Sequence, residues 1–456
     1  MNDFIDQSLV ARYGESAPRY TSYPPATQFH EQFKARDLIA AIGAHRKEDP
    51  WSLYVHIPFC ESVCYYCACH KVVTKHHERG GSYVSSVARE LALLAPLLGP
   101  APRLDQLHWG GGTPTFLGHD DMRALMVAIS DHFVLRPDDS GEYSIEIDPR
   151  HASDPTLVLL RDIGFNRLSL GIQDFDPEVQ RAINRKQSYS LVNRVISSAR
   201  ALGFKSISVD LIYGLPHQNR SRFARTLDRV LSFSPDRISL FHYAHLPDRF
   251  KPQRRIETND LPDGPTKLAI LGDAIRAFRE AGYVYIGLDH FAKSQDELAR
   301  AQRDRTLGRN FQGYSTHGDL DVLGIGPSAV SRIGSTYSQN AWELRQYTDL
   351  IDSQILPVRR GFELSGDDQI RRDLINSLLC HMECDIGAFE ARHSLLFARY
   401  FASEIERLAP FVDDGLVTLG DRIIVTERGQ MLVRAICAVF DRYLAGENRV
   451  RFSRVI

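Results

Sequence analysis

From Trp51 to about His290 the chain alternates between two hydrophobic patterns. Short apolar, β-branched runs predict strands at Ser52–Ile57, Gln106–Trp109, Tyr143–Ile147, Arg167–Gly171, Ser206–Leu211, Arg237–Tyr243 and Tyr283–Leu288. Between them, stretches with helical spacing predict helices at Ser82–Ala95, Asp120–His132, Pro155–Ile163, Leu191–Leu202, Arg220–Phe233 and Pro265–Glu280. Repeated strand–helix units imply a parallel sheet with right-handed crossovers, and six or seven of them suit a partial or full α/β barrel. In such barrels the chemistry sits on the loops that leave the C-terminal ends of the strands.

The flanks read differently. A helix at Ala35–Arg46 leads into the first strand. Before it, Arg19-Tyr20-Thr21-Ser22-Tyr23-Pro24-Pro25 is extended and aromatic, because each proline steers its predecessor away from helix. This segment is either a strap packed on the domain or a flap whose Arg19 and tyrosines touch a substrate. Residues 340–456 read mostly helical, at Asp367–Met382, Phe397–Leu408 and Arg428–Leu444. Leu416–Leu419 and Ile423–Thr426 flank Gly420-Asp421 as a hairpin, so this end resembles a winged helix. The predicted segments are 1–50 (strap and lead-in helix), 51–335 (barrel) and 336–456 (mostly helical domain).

Composition narrows the function classes. The chain has 456 residues, 43% of them hydrophobic, enough for a full core. A net charge of -2 and the lack of a basic stripe argue against nucleic acid, including for the winged-helix-like end. No apolar run reaches the ~18 residues of a membrane span, and the start Met1-Asn2-Asp3-Phe4-Ile5-Asp6 lacks a basic signal region. Seven cysteines, an odd number, fit a reducing compartment, so a cytoplasmic enzyme is expected.

Four of those cysteines fall in Cys60-Glu61-Ser62-Val63-Cys64-Tyr65-Tyr66-Cys67-Ala68-Cys69, directly after the first predicted strand. Thiols so close together form a ligand set or a reactive set. A structural zinc site usually pairs two C-x-x-C units, and no second unit exists here. Clustered thiolates also hold iron–sulfur clusters, at spacings peculiar to each family. Cys380, Cys384 and Cys437 read as small buried hydrophobes.

The other strand ends are unusual too. The second runs into Gly110-Gly111-Gly112-Thr113, where backbone can approach a ligand closely, although a tight turn is an equal reading. The third ends in Glu146-Ile147-Asp148, whose carboxylates need partners when buried, either a ligand or a barrel cation. The fourth runs into Gly171-Ile172-Gln173, with Arg185 beyond, and the fifth ends at Asp210 to Pro216. Leu323-Gly324-Ile325-Gly326 is too incomplete for a dinucleotide fingerprint.

The spacing C-x-x-x-C-x-x-C resembles that of the radical S-adenosylmethionine (SAM) superfamily. Arg19–Pro24, Leu53–Cys69, His108–Thr115, Asn166–Gln173, Asp210–Pro216, Tyr243–Pro247, Arg309–Tyr314 and Phe452–Ile456 together resemble the oxygen-independent coproporphyrinogen III oxidase family. The resemblance implies a partial TIM-like barrel of the radical SAM type with a helical C-terminal domain. It implies a [4Fe–4S] cluster on Cys60, Cys64 and Cys67, and two SAM molecules. The first would touch Tyr54, Gly111, Glu146 and Val330, and the second Tyr66, Gly112, Thr113, Gln173, Arg185, Asp210 and Ala244. Tyr66 departs from the family's usual phenylalanine, and its added hydroxyl needs a partner. Cys69 is the family's extra cysteine, not a cluster ligand in most members.

The implied reaction converts two propionates of coproporphyrinogen III to vinyl groups, giving protoporphyrinogen IX, through a 5′-deoxyadenosyl radical and with an unidentified electron donor. The family also implies a monomer. The substrate carries four carboxylates, so Arg19, Arg249, Lys251, Arg254, Arg255 and Arg309, near the matched segments, are candidates to bind them, with solvated surface charge as the plain alternative. The main rival is a heme chaperone-like relative that carries heme without oxidising a tetrapyrrole. The strap, Cys69 and the Arg309–Tyr314 loop favour the oxidase. A pure electron carrier is the other rival, and a barrel this size would be superfluous for it.

Overall fold

The computed structural model describes residues 6–14 and 17–444. The matched segment Phe452–Ile456 lies outside the described residues. The chain forms two compact units, residues 29–262 with 319–363, and residues 1–28 with 263–318 and 364–456. The units are interleaved along the chain, whereas the sequence pattern suggested three consecutive segments.

In the larger unit the parallel strands are β1 (Trp51–Ile57), β2 (Arg103–Gly111), β3 (Glu142–Ile147), β4 (Arg167–Gln173), β5 (Ser206–Tyr213) and β6 (Arg237–His242). The sheet runs β6-β5-β4-β3-β2-β1 and continues past β1. There β7 (Val322–Ile325) pairs parallel to β1, with Ser52 opposite Val322. Then β8 (Val330–Ile333), β9 (Thr336–Asn340) and β10 (Val358–Glu363) follow antiparallel. The predicted helical domain from residue 336 therefore opens with two strands of this sheet, separated by the helix Leu344–Asp352.

Alternation along the strands sorts side chains onto two faces. Leu53, Val55, Leu107, Trp109, Ile145, Leu168, Leu170, Ile207 and Val209 are at most 2% exposed and make the sheet's share of the core. The crossover helices supply the rest, for example Val87 and Leu91 of Arg79–Leu98. The other face is polar and cross-linked. Ser52 Oγ donates to Gln106 Oε1 at 2.7 Å, and Gln106 Nε2 to Glu142 Oε1 at 3.0 Å. One layer further, the Tyr54 and His108 rings stack at 5.8 Å, and His108 Nδ1 meets Ser144 Oγ at 2.6 Å. Next come His56, Gly110 and Glu146, beside the loops that leave the strands.

The smaller unit contains the predicted seventh strand, Tyr283–Gly287, paired antiparallel with His290–Lys293. A second hairpin joins Gly308–Asn310 to Gly313–Ser315. The helix Gly366–His381 is intact and opens on a Ser365/Asp368 capping box. The predicted Phe397–Leu408 helix breaks into Phe397–Tyr400 and Ala402–Asp413. The predicted Arg428–Leu444 helix shrinks to Val433–Val439 between two 3-10 turns. Gly429 begins that break, since a Cβ there would lie 2.1 Å from the Leu416 carbonyl oxygen. The predicted hairpin forms at Val417–Leu419 and Arg422–Val425, with Glu383–Asp385 as a third strand.

The extended segment before residue 25 is anchored inside this unit. Tyr20 and Tyr23 are 3% and 2% exposed. Tyr20 Oη donates to Asp441 Oδ2 at 3.1 Å, and the Arg434 guanidinium donates to the Ala17 and Pro18 carbonyls. The two tyrosines are packing groups of a strap.

Candidate active site

Pro58 ends β1, and the chain then turns through the cysteine segment. Its base is a short parallel pair, Phe59 opposite Val72 and Cys60 opposite Val73. Its far side is tied down by Tyr65 N to Ile183 O at 3.0 Å and Asn184 Nδ2 to Val63 O at 2.8 Å. These ties aim Cys60, Cys64, Cys67 and Cys69 into one cleft of about 850 Å³, its open mouth included. All are free thiols. Glu146, Asp148, Arg185 and Asp210 reach the same cleft from β3, the loop after it, the segment following the helix Pro177–Ala182, and β5.

The carboxylates are held in three different ways. Glu146 Oε2 accepts from Gly111 N at 3.1 Å, and its Oε1 meets His108 Nε2 at 3.2 Å. Burial alone would raise its pKa, but His108 and the Gly111 N–H hold it below the usual glutamate range. A side chain at Gly110 could not coexist with this carboxylate, since a Cβ would sit 2.9 Å from Glu146 Oε1. Gly111 takes a φ of +115°, which favours glycine, and its N–H is thereby turned to Glu146.

Asp148 faces two arginines, Arg185 Nη1 at 2.8 Å and Arg150 Nη2 at 2.6 Å. Against the desolvation that would raise it, these cations hold its carboxyl at about 2. The same arginines approach Cys64 Sγ, Arg185 Nη1 at 3.6 Å and Arg150 Nη2 at 3.9 Å. Asp210 forms no ion pair among the described residues, and Arg185 lowers it only weakly from a distance. Burial and the nearby Glu146 charge push it up to about 7, against hydrogen bonds from Ser239 and Ser169.

Gln173 and Arg185 close the far wall. Gln173 has a φ of +67°, and its buried Oε1 has no hydrogen-bond partner among the described residues. Arg185 Nη2 donates to Gly171 O at 2.6 Å, while its Nε is also unpartnered. Tyr66 lines the cleft with its ring against the cluster around Ile183 and Ile212, and burial pushes its hydroxyl pKa far up.

Residues 54–230 match the radical SAM superfamily, and residues 364–432 match the HemN C-terminal domain. The oxygen-independent coproporphyrinogen III oxidase of Pseudomonas aeruginosa is 50% identical over 99% of this chain and 98% of that protein. That of Escherichia coli (strain K12) is 47% identical, again over 99% and 98%. The solved structure of coproporphyrinogen III oxidase (HemN) from Escherichia coli, described as a radical SAM enzyme, superimposes with a TM-score of 0.92 at 46% identity, covering 96% of this chain and 99% of that one. This chain belongs to the oxygen-independent coproporphyrinogen III oxidase family.

As a radical SAM protein the chain uses a [4Fe–4S] cluster and SAM. The cleft suits both. Three thiols at the superfamily spacing share its wall with one to spare, soft donors of the kind iron–sulfur clusters take. Among the described residues, Gln173 Oε1 and Arg185 Nε are unpartnered, and the Asp210 carboxyl is raised despite hydrogen bonds from Ser239 and Ser169. An amino acid joined to a nucleoside offers the complementary ammonium, carboxylate and hydroxyls.

Of the cofactor-binding residues expected in an oxidase of this family, Tyr66, Gly111, Gly112, Thr113, Glu146, Gln173, Arg185 and Asp210 line the cleft. Tyr54, Ala244 and Val330 lie outside its lining. Tyr54 stacks on His108, which bonds Glu146, and Val330 O packs against Gly324, the partner of Tyr54 in β7. The candidate cations fall into two sets. Arg249, Lys251, Arg254 and Arg255 belong to the larger unit, where Arg255 Nη1 donates to Tyr65 Oη at 3.0 Å in the cysteine segment. Arg254 is turned to Pro247 O. Arg19 and Arg309 belong to the smaller unit, where Arg19 pairs with Asp289 at 2.5 Å.

In the cleft wall, Arg150 was not singled out from sequence, and Asp148 was named only within the strand-end run Glu146-Ile147-Asp148. Asp148 stands two residues after Glu146 at a strand end, and that position was the available signal. The His108–Glu146 contact follows from the strand period, which puts both on the polar face.

Proposed function

We propose that this cleft is where the chain generates the radical with which an oxidase of its family converts two propionates of coproporphyrinogen III to vinyl groups, giving protoporphyrinogen IX with loss of CO2. The observation that carries the reading is the convergence of three thiols, three differently tuned carboxylates and a buried arginine on one cleft at the barrel's loop end.

Cys60, Cys64 and Cys67 hold the cluster as thiolates. Arg185 and Arg150 lie beside Cys64 and offset its charge, and Asp148 keeps both arginines in place. When bound, cluster and SAM supply a carbon radical strong enough to remove a propionate β hydrogen, which no base in the protein could take as a proton. The two SAM molecules that the family resemblance implies would divide the polar groups of this cleft between them. Gly111 and Glu146, backed by Tyr54 and Val330, receive the one. Tyr66, Gly112, Thr113, Gln173, Arg185 and Asp210, with Ala244, receive the other. Ionised Asp210 accepts from hydroxyls or pairs with an ammonium, and Gln173 Oε1 accepts a further hydrogen. Arg19, Arg249, Lys251, Arg254, Arg255 and Arg309 supply cations for the four substrate carboxylates.

The test uses anaerobically reconstituted protein with dithionite, SAM and coproporphyrinogen III. Protoporphyrin after oxidation and 5′-deoxyadenosine are both expected, and both should vanish in Cys64→Ser. SAM cleavage with the tetrapyrrole untouched would reject the substrate. Tight retention of added heme with neither product would restore the carrier reading.

A further inference from the structure

The segment that follows the thiols is basic. Lys71, Lys75 and Arg79 are interspersed with His76 and His77, on a chain whose net charge is -2. Lys75, His76, His77 and Arg79 are exposed. The neighbouring acids are engaged by other groups. Glu78 meets His76 at 2.9 Å, and Glu61 meets His77 and His151 at 3.2 and 3.3 Å. Asp121 lies against Gly80 and Gly81, at the start of the helix Arg79–Leu98. Among the described residues Lys71, Lys75 and Arg79 therefore have no acid paired with them.

The same segment is tied to the thiols. Val72–Val73 makes a two-stranded parallel sheet with Phe59–Cys60. Val72 N donates to Pro58 O at 2.7 Å, and Thr74 N donates to Cys60 O at 2.9 Å. Lys71 Nζ donates to Cys67 O at 3.1 Å. Val73, opposite Cys60, is 48% exposed, and among the described residues no third strand covers its outer edge. A single hydrogen bond thus separates this surface strand from the backbone of Cys60, whose thiol enters the cleft. A small apolar spot ringed by unneutralised cations suits a brief, charge-guided encounter rather than a permanent subunit interface.

A small anion is a poor match for these cations. Only Lys71 of the three lines the cleft, and no buried, unpartnered donor lies among them. Their occupant comes from outside and presents an acidic surface. The radical chemistry above consumes one electron each time SAM is cleaved, and that electron has to reach the thiol-bound cluster. We propose that the segment from Lys71 to Arg79 is the docking surface for a reduced one-electron carrier protein with an acidic face, and that the electron enters at Cys60 across the Val73–Thr74 strand; this rests on the radical reading above. The carrier loses one electron, the cluster on Cys60, Cys64 and Cys67 gains it, and no atom changes hands. Exposed cations speed the encounter without tight binding, so the spent carrier can leave.

The probe is a plant-type [2Fe–2S] ferredoxin, a small acidic carrier of low potential. Labelled ferredoxin is titrated with the reconstituted holoprotein at low and at high salt. Turnover of coproporphyrinogen III is then followed with reduced ferredoxin or with dithionite as the sole reductant. The variants are Lys75→Glu and Arg79→Glu, with Arg225→Glu on the helix Arg220–Ser232 as a charge-matched control. Each of the first two should bind ferredoxin about tenfold more weakly at low salt, and high salt should shrink the difference. Ferredoxin-driven turnover should fall by a similar factor, while dithionite-driven turnover and the control stay at the parent's level. Arg79→Glu places an acid in the first turn of a helix, where the dipole favours it. Should it nevertheless melt early, Lys75→Glu, in an exposed loop, decides alone.

Ferredoxin binding that the variants leave unchanged overturns the proposal, and so does an equal loss in Arg225→Glu. Parent that turns over with dithionite but neither binds ferredoxin nor takes its electrons overturns it as well. Loss of dithionite-driven turnover in the variants would place the segment in the reaction site instead. Binding to phosphatidylserine vesicles through Lys75 and Arg79, with ferredoxin-driven turnover kept in the variants, would assign the surface to a membrane. Parent inactive with both reductants defeats the oxidase reading, and ferredoxin binding then judges the surface by itself.

Discussion

At the scale of single residues, Asp210 shows how a site trades stability for binding. Its carboxyl is raised to about 7 by burial and by Glu146, so the folded chain holds that proton more tightly than the unfolded one does. The associated stability is present at acid pH, falls as pH rises from about 4 towards 7, and levels off above. Asp210→Asn should therefore stabilise the cofactor-free protein at pH 8 by about 1–3 kcal/mol after allowing for water in the cleft, seen as a higher melting temperature. The same change should weaken SAM binding by about tenfold, because it removes a charged acceptor. Calorimetry and equilibrium dialysis at pH 6 and pH 8 check both arms. Equal melting of parent and variant at pH 8 would show that Asp210 is already satisfied. Much of this site was legible beforehand, since the thiols, glycines, Glu146, Gln173 and Asp210 stand at or just after strand ends, and Arg185 came with the family resemblance. Asp148 and Arg150 were less so, because their role emerges only where Arg185 folds back from a distant segment to share them with Cys64.

At the scale of elements, strands and crossover helices followed their hydrophobic periods closely, because burial on a sheet or helix face is a local property of the sequence. β7 to β10 were hidden for the opposite reason. Val322–Ile325 and Val330–Ile333 are short and gain their identity from β1, far away in the chain. One side chain holds that remote junction. Glu90, 2% exposed on the helix Arg79–Leu98, accepts from Gly326 N at 2.9 Å, Asn340 Nδ2 at 2.7 Å and Tyr347 Oη at 2.6 Å. It thus ties the turn after β7, the end of β9 and the helix Leu344–Asp352 to one point. Glu90→Leu would strand those donors and should cost about 3 kcal/mol or more, seen as a lower urea midpoint. Burial also raises Glu90 to about 7, so its contribution too declines as pH climbs from about 4.5 to 7. In Glu90→Gln that slope should be absent.

At the scale of the whole molecule, the larger unit is assembled from two separated pieces of chain. Residues 29–262 supply β1 to β6, and residues 319–363 supply β7 to β10. A chain of 29–262 alone leaves one edge of β1 unpaired, with the hydrogen bond from Ser52 N to Asp321 O lost, and an exposed edge invites aggregation. It should be insoluble or melt without cooperativity. Joining 319–363 after 262 through a short linker should restore a soluble, cooperatively melting protein, and failure of that chain would mean the larger unit needs the rest of the protein to fold.

The same pairing sets a timetable during synthesis. Ser52 meets Val322 only after some 270 further residues have been made, roughly 15–50 s at ordinary rates of translation. The thiol segment leaves the ribosome at the beginning of that wait, while the strand behind it still lacks a neighbour on one side. Iron and sulfide are therefore best loaded onto the finished polypeptide, and a ribosome stalled before residue 319 should present a nascent chain unable to retain them.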